Sequence, residues 1–256
     1  MRVLSISSQV VWGPVGNSAA VPALQAKGHE VLSLPTVILS NHPGHGAPAG
    51  LRMPGEDMAR MLESLMARGA LARLDAVLTG YFASAAQVEE VEKLLGRINV
   101  PYVLVDPVLG DHGRLYVADD VADAIRQRLL PRAQCITPNA FELGFLSGHT
   151  VTDEASAIAA ARALNVPEVL ATSVPASDGG LATLLVTPHD VHSIITPKLA
   201  HVPHGTGDFL SGLYLAGRLS LPPRDAFTAA MTTLTRAIAR SAGTTVLDVA
   251  GALHAP

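Results

Sequence analysis

Short apolar, β-branched runs alternate with longer segments of helical spacing along most of this chain, and that alternation leaves few folds open. Candidate strands fall at 2–7, 31–35, 76–79, 102–106, 133–137, 168–171, 183–187 and 191–196. Candidate helices fall at 16–27, 57–68, 85–96, 121–130, 140–146, 153–164, 207–219 and 223–242. Strands separated by a helix have the long crossover that parallel pairing needs, so the pattern predicts an α/β fold: a mostly parallel central sheet with helices on both faces. The turn Pro188-His189-Asp190 is too short for a crossover and predicts an antiparallel edge. A 48% apolar content with only 16% charged residues suits strands buried on both sides. No linker, repeat or low-complexity block divides the chain, so 1–256 reads as a single domain. The Pro/Gly-rich stretch at 41–55 reads as a long loop of the kind that lids or binds.

Other features narrow the function. A net charge of −4 gives no general attraction to nucleic acid or to anionic membranes. Cys135 is the single cysteine, which excludes an intrachain disulfide and a cysteine-based metal site, and its apolar surroundings predict a buried, inert thiol. Residues 1–11 are too short and too interrupted by serines for a signal segment or a membrane span, so a cytoplasmic protein is expected.

In open α/β sheets ligands bind beyond the carboxyl ends of the strands. The polar residues that stand out here fall at those ends: Ser7, Ser8 and Gln9, then Gly80 and Tyr81, Asp106, the stretch from Thr137 to Glu142, and Thr172 with Ser173. The stretch PHGTGDFLSG (203–212) is the most informative of all. Gly205, Thr206 and Gly207 make a turn of small residues that lets successive N–H groups face one spot, and a helix start adds unpaired donors to that spot. Asp208 there is either a helix cap or a base beside a bound phosphate. Asp106 and Asp111, in DPVLGD, either cap a turn or hold a hard cation such as Mg²⁺ or K⁺. Asn139 and Glu142, in TPNAFE, form a capping box or order water around Mg²⁺.

Taken together and in this order, these elements resemble the ribokinase-like superfamily, and within it the pyridoxal kinase family, which phosphorylates vitamin B6 vitamers. The segment SSQVVWGPVGNSAA (7–20) is similar to that family's amino-terminal signature, and SNH (40–42), LTGY (78–81), DPVLGDHGRLYV (106–117) and TPNAFELGFLSG (137–148) follow in place. The resemblance covers about residues 2–240. Hydroxymethylpyrimidine kinases and one group of B6 kinases usually read GTGC where this chain reads GTGD; aspartate fits classical pyridoxal kinases and sugar kinases, and the GNSAA and SNH segments do not resemble sugar kinases.

The resemblance implies a three-layer fold, ATP and Mg²⁺ as cofactors with a monovalent cation (K⁺), and a homodimer. Asp208 would be the general base toward the 5′-hydroxymethyl group, with Gly205, Thr206 and Gly207 facing the γ-phosphate. Asp106, Asp111, Thr137, Asn139 and Glu142 would organise the cations. Ser8 would meet the pyridine nitrogen, Tyr81 the ring, and Val15, Val37, Leu39 and His42 the rest of the vitamer pocket; Tyr116, Thr172 and Ser173 would lie toward ATP.

The match departs from the family after Ser40-Asn41-His42. Where relatives carry a threonine, a tyrosine and a tryptophan, Pro43, His45 and Pro48 stand here, removing a hydroxyl and two aromatic covers. The wall between Ser173 and Leu181 is also short. Substrate range therefore stays open to a related hydroxymethyl heterocycle, and a non-catalytic vitamer binder is the alternative of another class. His29, His42 and His45 are read as surface or pocket residues rather than a metal cluster, His201 and His204 as loop residues, and Trp12 as a packing or pocket-rim residue.

Overall fold

The computed structural model of the chain describes residues 1–254. The first half runs β1 (Arg2–Trp12), α1 (Asn17–Gln25), β2 (Glu30–Asn41), β3 (Gly50–Arg52), α2 (Gly55–Ala67), β4 (Ala76–Thr79), α3 (Ala85–Leu95) and β5 (Tyr102–Val105). A small hairpin of β6 (Gly110–Asp111) and β7 (Arg114–Leu115) follows, then α4 (Asp119–Ala124), β8 (Cys135–Ile136), α5 (Ala140–Ser147) and α6 (Glu154–Ala163). The chain ends with β9 (Glu168–Pro175), β10 (Leu181–Val186), β11 (Val191–Thr196), α7 (Thr206–Arg218), α8 (Pro223–Arg240) and α9 (Val249–His254).

Nine strands make one sheet in the order β11-β10-β9-β8-β5-β4-β1-β2-β3. The six strands from β9 to β2 pair in parallel, as the long crossovers require. The β10–β11 hairpin around Pro188 is antiparallel, as expected, and β3 adds a second antiparallel edge. Side chains alternate between faces with the strand period of two. In β4, Val77 packs with Met58, Leu62, Val88 and Val91 of α2 and α3, whereas Ala76 and Leu78 face Phe209, Leu213 and Tyr214 of α7. Two cores on opposite sides of one sheet give the three-layer architecture.

Several boundaries move from their sequence expectation. The strand expected to end at 7 continues to Trp12, and the one expected to end at 35 continues to Asn41, paired as far as Trp12 and Asn41 across a bulge between Ser7 and Gln9. Pro35 reads as a stop because it lacks an N–H, but it falls opposite Ser7 at that bulge, where the ladder is already interrupted. The loop expected at 41–55 contains β3 and the start of α2. The helix expected at 121–130 begins as α4 and loosens into a π-helical turn at Ile125–Leu129. The hairpin of β6 and β7 and the terminal α9 had no strong periodic signal, being two to six residues long.

Candidate active site

The start of α7 is built for close approach. Gly205 caps the helix with φ 91°, a left-handed conformation that side chains disfavour. A β-carbon there would lie 2.0 Å from the Pro14 carbonyl oxygen, so the turn nests directly against the segment after β1. A β-carbon on Gly207 would meet nothing within 4 Å outside its own helix, Gly207 is exposed, and no side chain caps the first turn of α7.

Asp208 sits on that first turn, its carboxylate accepting the N–H of Gly16 and its own. Burial nevertheless pushes its pKa up to about 6, those hydrogen bonds opposing the rise. A narrow cleft joins Asp208 to Ser7 at the β1 bulge, Gly16 capping α1, Thr79 and Gly80 at the end of β4, Asp106 just after β5, and Ser211 on α7. Asp106 is buried at 7% exposure. Burial first, and then the carboxylates of Asp208 and Glu142, hold its pKa well above the ordinary carboxylate range. Ser211 Oγ, one turn beyond Asp208, lies 2.9 Å from both Asp106 Oδ2 and Thr137 Oγ1 and 3.0 Å from the Gly207 carbonyl.

At the start of α5 the capping box is present: Asn139 Oδ1 accepts the Glu142 N–H, and Glu142 Oε2 accepts the Asn139 N–H, each at 2.9 Å. Glu142 Oε1 also accepts the N–H groups of Leu109 at 2.9 Å and Gly110 at 3.3 Å, so it shapes the loop after Asp106. Burial raises its pKa to about 7 against these bonds. Asp111 acts electrostatically on both Glu142 and Tyr116, and Tyr116 is 62% exposed. Thr172 pairs with Asn139 and donates its N–H to the Pro138 carbonyl at 2.9 Å, while exposed Ser173 beside it takes φ 55°.

On the other side of the cleft, Ser8 and Val15 are buried, and a β-carbon on Gly16 would meet Ser8 Oγ at 2.2 Å. Buried Val37 and half-buried Leu39 share one face of β2. Tyr81 is fixed by its main chain, donating to Ser7 Oγ at 3.2 Å and accepting from Thr36 Oγ1 at 2.7 Å. His42 directly follows β2 and packs its ring on His204.

Several positioning residues escaped the sequence reading. Buried Asn17 bridges Ser5 Oγ and the carbonyls of Ser7 and Leu34, holding β1 and β2 at the bulge. Buried Gln87 ties the carbonyls of Thr36 and Met53 to the N–H of Ala83. Its one legible signal is an amide on the otherwise apolar helix face of Val88 and Val91. Glu168 anchors the far end of α7, accepting from the Tyr102 and Tyr214 hydroxyls at 2.6 Å each and from Arg218 at 2.9 and 3.0 Å. His29 lies apart from the other histidines, its ring bonded to the Ala216 carbonyl.

The sequence model of the phosphomethylpyrimidine kinase family matches residues 18–253. A pyridoxine/pyridoxal/pyridoxamine kinase of Bordetella avium is 41% identical over 218 residues, covering 80% of this chain and 73% of that protein. A pyridoxal kinase of Leifsonia xyli is 37% identical, covering 84% of this chain and 80% of its own. The chain belongs to the pyridoxal kinase family. A pyridoxal kinase of Leishmania donovani, solved with ADP and pyridoxamine, superposes with a TM-score of 0.92 at 33% identity over 98% of this chain and 94% of that one.

For a pyridoxal kinase family member, the donors suit a hard cation: Asp106, Asp111 and Glu142 offer carboxylate oxygens, and Thr137 a hydroxyl. Among the described residues, no three acidic, histidine or cysteine side chains converge to hold a metal by themselves. Such a set fits Mg²⁺, which keeps its waters and takes further ligands from substrate phosphates. No described helix is long and apolar enough to cross a membrane.

Proposed function

We propose that this member of the pyridoxal kinase family transfers the γ-phosphoryl group of ATP to the 5′-hydroxymethyl group of pyridoxal, and of pyridoxine and pyridoxamine, giving the 5′-phosphates. The observation that carries the reading is Asp208, a half-buried carboxylate poised at about 6 on the first turn of α7, beside the Gly205–Thr206–Gly207 turn, which no side chain caps. At neutral pH Asp208 is ionised and takes the alcohol proton as the substrate oxygen bonds to phosphorus and the bond to the ADP oxygen breaks. The turn amides stabilise charge on the moving phosphoryl oxygens. Ser8, Tyr81, Val15, Val37, Leu39 and His42 hold the vitamer, while Tyr116, Thr172 and Ser173 flank the nucleotide. Mg²⁺ would be held by Asp106, Asp111, Asn139 and Glu142, and K⁺ by Asp106 and Thr137; their chemistry is to neutralise the phosphates. A cytoplasmic location and a homodimer complete the proposal, the dimer supported by the exposed apolar Leu51 on edge strand β3 and Ile38 and Met61 on the neighbouring β2 and α2.

The test is ADP release measured across the three B6 vitamers and hydroxymethylpyrimidine. ADP formed with a B6 vitamer is the expected result. Tight vitamer binding without ADP would leave a binding protein instead, and turnover confined to hydroxymethylpyrimidine would reassign the acceptor.

A further inference from the structure

The loop that departs from the family brings together side chains that stand far apart in the sequence. The rings of His42 and His204 lie 4.1 Å apart between centroids, tilted by 32°. His45 stacks on Trp12 at 4.4 Å and 21°, and meets both other histidines edge-on at 6.4 Å. The loop backbone fits this cluster closely: a β-carbon on Gly44 would lie 2.3 Å from His204 Nε2, and one on Gly13 would lie 3.2 Å from the His45 ring. His42 Nδ1 accepts the Gly44 N–H at 3.0 Å, which leaves the ring proton of the neutral form on Nε2. His204 directly precedes Gly205, the residue that opens the anion turn.

We propose that the His42–His204 contact is a latch joining the 42–46 loop to the anion turn, which makes His204 a positioning residue for the vitamer's approach to Asp208. The inference rests on the vitamer pocket proposed above. Two imidazolium rings at this separation repel, so the latch holds while the pair is neutral. Burial, then His204 and His45, depress the His42 pKa to about 4; burial and then His45 lower that of His204. The titratable groups facing one another are these three histidines. The end of β1 contributes only uncharged Trp12 and Gly13, and among the described residues no carboxylate pairs with any of the three rings. A depressed histidine pKa favours the latched form above the ordinary value of 6.5, and that preference is lost as pH falls toward 4. Titration of His42 alone would therefore raise the vitamer KM by up to about tenfold between pH 7.5 and 5.5.

Trp12 is the only tryptophan in the chain, and its stack on His45 makes its emission a reporter of the loop that needs no substrate. The experiment follows Trp12 emission and the pyridoxal KM against pH in the full chain and in His204→Phe, with circular dichroism confirming the fold at each pH. Phenylalanine keeps a ring for His42 to pack on and cannot be charged. Wild type is expected to lose its high-pH emission progressively as pH falls from about 6.5 toward 4 and to raise KM, while His204→Phe, which lacks the second imidazolium, loses less emission and shows a smaller rise in KM. Asp208 titrates in both proteins, so their difference reads the latch. Parallel KM profiles, or flat wild-type emission with the fold intact, would overturn the proposal. His204→Gln serves if the first variant does not fold: it should raise KM at every pH and flatten its pH dependence. No ADP release from any of these proteins would sink the kinase reading instead, leaving Trp12 emission to decide the latch.

Discussion

Asp208→Asn should make the protein a much poorer kinase and a more stable fold. Asparagine keeps the shape, and its Oδ1 can still accept the Gly16 N–H, so the change removes the charge and little else. Without a base to take the alcohol proton, turnover should fall by about 10²–10⁴, equivalent to about 2.7–5.4 kcal/mol of transition-state stabilisation. Stability moves the other way. The carboxyl sits at about 6 in the fold against 3.8 for the ordinary group, so the folded state binds its proton more tightly than the unfolded chain does. The penalty on the native state is therefore absent below about pH 4, grows as pH rises toward 6 and is complete above it. At about 1.36 kcal/mol per pH unit it reaches at most about 3 kcal/mol, the gain expected for Asn at pH 8. Steady-state ADP release with saturating pyridoxal reads the first effect, and urea unfolding at about pH 8 and about pH 4 reads the second. Turnover within tenfold of wild type would refute the base assignment; equal stability at both pH values would refute the burial argument.

Wild-type kcat should rise with pH through about 6 and level off above it, because the base must be ionised; a pH–rate profile checks this. Gly205→Ala places a methyl group against the Pro14 carbonyl in a left-handed conformation, so ADP affinity and melting temperature should both fall, by at least about 1–2 kcal/mol in stability. Glu142→Ala strands the N–H groups of Asn139, Leu109 and Gly110 and should lower stability by about 2 kcal/mol or more. It should also raise the Mg²⁺ concentration needed for half-maximal rate, and an unchanged Mg²⁺ dependence would reduce Glu142 to a cap. Glu168→Gln leaves Arg218 without its charge partner beside the buried Tyr214 and half-buried Tyr102 phenols and should destabilise by about 3 kcal/mol, measured by urea unfolding, with KM for ATP little changed.

Much of the site was legible in the chain because its parts are local. The GTGD turn, the Asn139–Glu142 box and Asp106 at a strand end each declare themselves within six residues, since glycine conformation, capping and strand termination act between near neighbours. Sequence alone could not choose between a cap and a metal group at Glu142. The fold shows the capping box made, together with two further backbone bonds from 33 and 32 residues away.

What the chain decided by itself is the layered parallel sheet, because crossover length and apolar period are properties of contiguous residues. Which polar groups meet was settled only by packing. Ser211 reaches Asp106 across 105 positions, Gly16 supplies the amide that holds Asp208, and His204 closes on His42. Each partner looks unremarkable in its own segment. Their chemistry arises where helices and loops from distant parts of the chain are pressed against the same strand ends, a juxtaposition that local propensity does not encode.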